Sequence, residues 1–95
     1  GVQTCALPIY SVPTPAVEQL WLTQGAEIRA LLRDGADVLL HCRGGLGRAG
    51  MMAARLLVEL GMAPDEAIRR VRRARPGAIE TPAQMTLVRR SVALV

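Results

Sequence analysis

LLHCRGGLGRAGMMAARLL, residues 39–57, decides how this chain is read. Val38, Leu39 and Leu40 form a short apolar run, which predicts a buried strand. His41-Cys42 closes it. Four glycines and two arginines then fall between Arg43 and Gly50. From Gly50 to Leu60 the chain is apolar around most of a helical circumference, which predicts a buried helix that Gly61 stops. Only Arg55 and Glu59, one turn apart, mark a wet stripe on it. Cys42 therefore falls where a strand ends, and Arg48 to Gly50 where a helix begins.

That order has a chemical consequence. A loop between strand and helix can turn consecutive N–H groups towards one point and so cradle an anion. The helix N-terminus adds roughly half a positive charge. Gly44, Gly45 and Gly47 permit the positive φ values and close approach that such a ring demands. Arg48 can reach over it and grip two oxygens with its planar fork. A cysteine in the same field is acidified, with pKa values of about 3.5–7.5 typical near helix N-termini and arginines. Cys42 as a thiolate beneath a bound phosphate can attack phosphorus in line. The covalent product is then hydrolysed by water. Arg48 would steady the charge on the equatorial oxygens.

His-Cys, five residues, then Arg resembles the active-site loop of the cysteine-dependent protein tyrosine and dual-specificity phosphatases. HCRGGLGRAG, residues 41–50, is most similar to the kinase-associated phosphatase group, and RPGAIETPAQ, residues 75–84, resembles the segment that follows that group's loop. The resemblance covers roughly Val38 to Leu94. It implies an α/β fold in which strand, phosphate loop and helix are followed by further helices. It also implies Cys42 as nucleophile, Arg48 as phosphate clamp, and the amides of Arg43, Gly44, Gly45, Leu46, Gly47 and Arg48 as the cradle. His41 would position the loop and tune the thiol. Gln84 matches a position that in related phosphatases orients the hydrolytic water, although a helix cap also accounts for it. The substrate would be a phosphorylated protein or a small phosphoester, with no metal or cofactor, no nucleic acid and no membrane.

Two departures from the family pattern stand out. Ser or Thr usually follows the arginine and helps the thiolate leave; here Ala49 has no hydroxyl. The family's general acid is an Asp on a loop ahead of the first helix, where this chain reads Tyr10-Ser11-Val12-Pro13. Asp34, Asp37 and Asp65 fall in turns or at a helix start. The expectation is a chain without its general acid.

Other readings compete. GLGRAG, residues 45–50, also fits the G-x-G-x-x-G of dinucleotide-binding folds, but no second strand ending in an acid follows about 20 residues on. Rhodanese-type sulfurtransferases share a cysteine loop between strand and helix, usually one residue shorter. A non-catalytic phosphate- or phosphoprotein-binding module would keep the cradle and lose turnover.

Outward from the loop, Thr14-Pro15 predicts a helix start. Val17, Leu20, Trp21, Ile28, Leu31 and Leu32 carry that helix to Arg33 across a weakening Gly25, and Asp34-Gly35 ends it. Pro64-Asp65-Glu66 opens a helix to about Ala74, with Ala67, Ile68, Val71 and Ala74 on one face and Arg69, Arg70, Arg72 and Arg73 on the other, solvated one. Pro76-Gly77 breaks it, and Thr81-Pro82-Ala83-Gln84 predicts a capping box on the last helix. The count is one strand and four helices, so the strand's sheet neighbours are unaccounted for.

Gly1 to Ile9 reads differently. GVQTCALPI back-translates without a break into a common sequencing-library adapter, so residues 1–9 are expected to be non-native and 10–95 a partial phosphatase domain whose natural chain continued upstream. The whole sequence has 95 residues, a net charge of +4, no Lys and no Phe, which bounds it to one small domain with an aliphatic core. Two cysteines in unlike contexts make no disulfide framework, and no apolar run approaches the ~18 residues of a bilayer span. A reducing cytoplasm suits a free thiol.

Overall fold

A computed structural model describes residues 2–7, 15–42, 47–79 and 81–94, with the backbone alone at 2–7, 39–42 and 47. Its elements run β1 (Val2–Leu7), α1 (Pro15–Arg33), β2 (Asp37–Cys42), α2 (Gly47–Glu59), α3 (Pro64–Ala74) and α4 (Pro82–Arg90). The class is α/β. The strands pair in parallel from Val2↔Asp37 to Leu7↔Cys42, so both end level with the cysteine. Parallel neighbours need a crossover, and α1 supplies it.

The expected helices form, with α2 beginning at Gly47, three residues ahead of the expected Gly50. α1 begins at Pro15 and closes at Gly35, where Ala36 N donates to Leu31 O at 3.0 Å. α2 closes at Gly61, where Met62 N donates to Leu57 O at 2.9 Å. Both glycines have positive φ. α4 carries the full capping box, Thr81 to Gln84, at 3.1 Å in each direction. The strand count differs: two strands, not one. Residues 2–7 lie within the segment set apart as adapter-like, and they provide β2 with a neighbour. Strand formation here is decided by a partner edge, which six residues without strict alternation do not announce.

α2 is the hub. It packs against β2, α3 and α4. Met51, Met52, Ala54, Leu56 and Val58 are all buried, as a helix apolar on most sides should be. Ala67, Ile68 and Val71 of α3 and Leu87 and Val88 of α4 complete the core; Ala74 at the end of α3 is exposed. The core is not purely aliphatic, because Trp21 is buried within it.

The supposed wet stripe of α2 is not wet. Glu59 is only 3% exposed, and Arg55 is half-buried. The Glu59 carboxylate accepts from Trp21 Nε1 at 3.0 and 3.1 Å, from Arg29 at 2.7 Å and from Arg55 Nε at 3.1 Å. Arg55 also grips both carboxylate oxygens of Glu18 and lies 5.3 Å over the Trp21 ring. Burial alone would lower the Arg55 pKa, but hydrogen bonds and charge from Glu18 and then Glu59 outweigh it and raise the value. Arg55 therefore stays cationic.

Trp21, Gly25 and Arg29 are spaced four apart on α1, so they share one face. A Cβ on Gly25 would sit 2.8 Å from the indole and 3.1 Å from the Arg29 guanidinium. The glycine that weakens the helix locally is what lets two large side chains fold across it to reach Glu59. Leu20, by contrast, is exposed although it fits the apolar spacing.

A buried carboxylate with several donors predicts a large asymmetry. Glu59→Ala strands Arg29 in a dry site and should lower unfolding free energy by about 3–5 kcal/mol. Glu66→Ala breaks only the exposed pairs to Arg69 and Arg70 and should cost less than about 0.5 kcal/mol. Urea denaturation of the two variants measures both. Equal losses would contradict the burial of Glu59.

Candidate active site

Parallel pairing carries β2 to Cys42, and α2 starts at Gly47. Only residues 43–46 separate them. The backbone of His41 and Cys42 belongs to β2 and that of Gly47 to α2. Arg48 and Ala49 fall in the first turn of α2, both half-buried, and Arg48 is not without a partner. Arg43, Gly44, Gly45 and Leu46 lie outside the described residues, as does the orientation of the Cys42 thiol. What the described chain supplies is the frame: a strand end, a four-residue connection and a helix N-terminus opening onto it.

The start of α2 is held from the side by the connection between α3 and α4. Gly50 is buried, and a Cβ there would meet Ala78 Cβ at 2.6 Å and Ala78 Cα at 3.3 Å. This close approach gives Gly50 a reason to be glycine that involves no dinucleotide. The connection is itself unusual. Ile79 has φ of 60°, in the left-handed region that a β-branched residue enters at a cost of about 1–3 kcal/mol. Its side chain is fully buried, which offsets that cost. Arg72 fixes the turn: Nε donates to Ala78 O at 3.2 Å and a terminal nitrogen to Ile79 O at 3.0 Å. Arg72 is exposed, as expected of the solvated face, and its guanidinium also bonds two carbonyls. The signal was present in Pro76-Gly77, which marks a tight turn whose carbonyls need donors, but the sequence does not say which arginine supplies them.

Gln84 is buried at 3% exposure. Its oxygen and its backbone N–H complete the capping box, and it makes a further interaction besides. The aspartates are placed away from the loop. Asp37 begins the strand that Cys42 ends, about 17 Å away at ~3.3 Å per residue. Asp34 is exposed in the turn before it. Asp65 lies in the first turn of α3 and accepts from Arg89 at 3.3 Å. Tyr10 to Pro13 lie outside the described residues. Among the described residues, no helix is long and apolar enough to cross a membrane.

Comparison with known proteins agrees with this frame. The family described as "Swiss Army Knife protein, DSP-PTPase phosphatase domain" matches residues 1–88. Cyclin-dependent kinase inhibitor 3 of Rattus norvegicus is 37% identical over 84 residues, which is 85% of this chain and 39% of the relative. Protein tyrosine phosphatase type IVA 3 of Homo sapiens is 45% identical over 47 residues, half of this chain and 27% of the relative. A solved structure, "Crystal structure of Tk-PTP in the active form", superposes with a TM-score of 0.67 at 42% identity, covering 86% of this chain and 54% of that one. The chain thus spans about two-fifths of the rat relative and about half of the solved structure. With a strand running into Cys42, a helix leaving from Gly47 and a family match over residues 1–88, the chain belongs to the DSP-PTPase phosphatase domain family.

Proposed function

We propose that this chain is a phosphate-monoester phosphatase of the tyrosine or dual-specificity type that works through a phosphocysteine. The observation that supports the reading is the short span from Cys42 at the end of β2 to Arg48 in the first turn of α2, because the two residues that the chemistry needs then stand at the two ends of one short connection. In the first step the Cys42 thiolate attacks phosphorus, the bond to the ester oxygen breaks, and its electron pair leaves with that oxygen. In the second, water attacks phosphorus and the sulfur–phosphorus bond breaks, which releases inorganic phosphate and restores the thiolate. The amides of residues 43–48 and the Arg48 fork hold the equatorial oxygens through both. His41 tunes the thiol, and Gln84 is a fitting residue to orient the water, being buried and engaged beyond its cap. Ala49 cannot donate to the leaving thiolate, so the second step is slower than it would be with a hydroxyl there, unless a water takes the hydroxyl's place. Substrates are phosphorylated proteins or small phosphoesters met in the cytoplasm. Residues 1–9 remain, in this reading, an adapter-derived strand beside a partial domain, 10–95.

Cys42→Ser should abolish turnover and keep affinity for inorganic phosphate or vanadate. Arg48→Lys should lose both, since an ammonium cannot reproduce the two-point grip. Product release and oxyanion inhibition measure the two effects. Full hydrolysis by Cys42→Ser would overturn the nucleophile, and phosphate binding without any product from the unaltered chain would favour a binding module.

The same reading has the chain acting without a general acid, supported by the positions of Asp34, Asp37 and Asp65 and by the pairing of Glu18 and Glu59 with arginines. Positioned acids contribute about 10²–10⁴ in rate when the leaving oxygen needs a proton. Activated aryl phosphates should therefore be hydrolysed slowly, phosphotyrosine weakly and phosphoserine not at all. Adding an upstream segment that bears an Asp should raise the phosphotyrosine rate far more than the activated-aryl rate. Equal gains on both would mean that the segment repairs the fold and supplies no proton.

A further inference from the structure

We propose that Arg72 is a positioning residue for the anion site: by holding the carbonyls of Ala78 and Ile79 it presses that segment against Gly50 and so fixes the first turn of α2, where Arg48 sits. For catalysis this rests on the phosphatase reading above; the mechanical part does not.

Four observations join up. Arg72 stands on the last turn of α3, and its guanidinium reaches back across the turn to two successive carbonyls, at 3.2 and 3.0 Å, with Met85 Sδ at 3.6 Å from the same nitrogen that holds Ile79. Ile79 is held left-handed, a conformation that its backbone would abandon if nothing opposed it. Ala78 is 1% exposed, and it occupies the space that any side chain at position 50 would need. Gly50 lies two residues from Arg48 and within the first turn of α2, which begins at Gly47. A planar fork that meets two acceptors at once fixes orientation as well as distance. A single-point donor in its place would leave the turn free to rotate about one bond.

Arg72 therefore differs from its neighbours on α3. Arg69 and Arg70 pair with Glu66, on the exposed side of the helix. Arg73 is likewise exposed and makes a suitable control. All four arginines of the basic face are exposed, and Arg72 is set apart by the two backbone carbonyls that its guanidinium holds.

The experiment uses the full 95-residue chain with Cys5→Ser as the parent, so that Cys42 is its one thiol. Arg72→Met keeps the apolar stem and removes the fork, and Arg72→Lys keeps the charge and one donor. Hydrogen exchange is read along α2. If Arg72 fixes the first turn, protection falls at residues 51–54 in Arg72→Met and holds at residues 57–60, with a smaller fall in Arg72→Lys. Protection lost evenly along α2, or unchanged throughout, overturns the proposal. Kinetics on an activated aryl phosphate should show kcat/KM lowered by about 10–100-fold in Arg72→Met, as expected for a sub-ångström to 1 Å displacement of a clamp. The inhibition constant of inorganic phosphate should rise with it, and the pH midpoint for iodoacetate alkylation of Cys42 should move upwards as the helix end swings away. Arg73→Met should change none of these. If Arg72→Met does not fold, Arg72→Lys carries the same comparison. A parent chain that neither turns over substrate nor binds phosphate would sink the phosphatase reading, while the exchange pattern would still decide the positioning role.

Discussion

One buried carboxylate organises this fold. Glu59 gathers an indole N–H and a guanidinium from α1 and a second guanidinium from its own helix, and its carbonyl accepts from Leu94 N at 2.8 Å. A carboxylate taken out of water at 3% exposure is tolerable only with its lone pairs filled, and donors converge on it from two helices. Replacing such a cluster by hydrophobic residues is often neutral in stability, so its particular contribution is direction. Apolar packing lets helices slide and rotate, whereas four hydrogen bonds to one group fix both translation and rotation of α2 against α1.

Direction matters because α2 has two working ends. Glu59 lies at its C-terminal end and Arg48 in its first turn, about 16 Å apart along the axis. An N-terminal dipole is useful to a thiolate only while it points at it, since the effect fades within one turn. The far end is pinned by charge on Glu59, and the near end by contact, through Gly50, Ala78, strained Ile79 and the fork of Arg72. The family to which the chain belongs is a phosphatase family, and a rigid helix behind a short loop is what phosphoryl chemistry asks of a scaffold, where most of the rate comes from positioning and electrostatics.

The parts of this arrangement that were legible in the sequence are those fixed by local chemistry. Pro15, Pro64 and the Thr81–Gln84 box open helices at the expected residues, and Gly35 and Gly61 close them. C-x5-R between a strand and a helix is likewise a local pattern. What was not legible depends on partners distant in sequence. Arg55 and Glu59 have the spacing of a solvated pair, and nothing in that spacing shows that Trp21 and Arg29, thirty or more residues away, cover them. Their signal lay in α1, where a glycine stands midway between a tryptophan and an arginine at four-residue steps. β1 was missed because a strand is defined by its neighbour's edge. Arg72 is exposed like the other arginines of α3, and the sequence does not single it out because its two acceptors are carbonyls, which one-letter codes do not distinguish.

The most direct test of the central claim is capture of the covalent intermediate. The 95-residue chain is mixed with an activated aryl phosphate, quenched in acid within the first turnover, digested and analysed by mass spectrometry. The account predicts one added phosphoryl group on the peptide containing Cys42, stable in acid, absent from Cys42→Ser and lost on longer incubation before the quench. A chain that releases phosphate with no phosphoryl group on Cys42 at any time, or with the group on another residue, would contradict it.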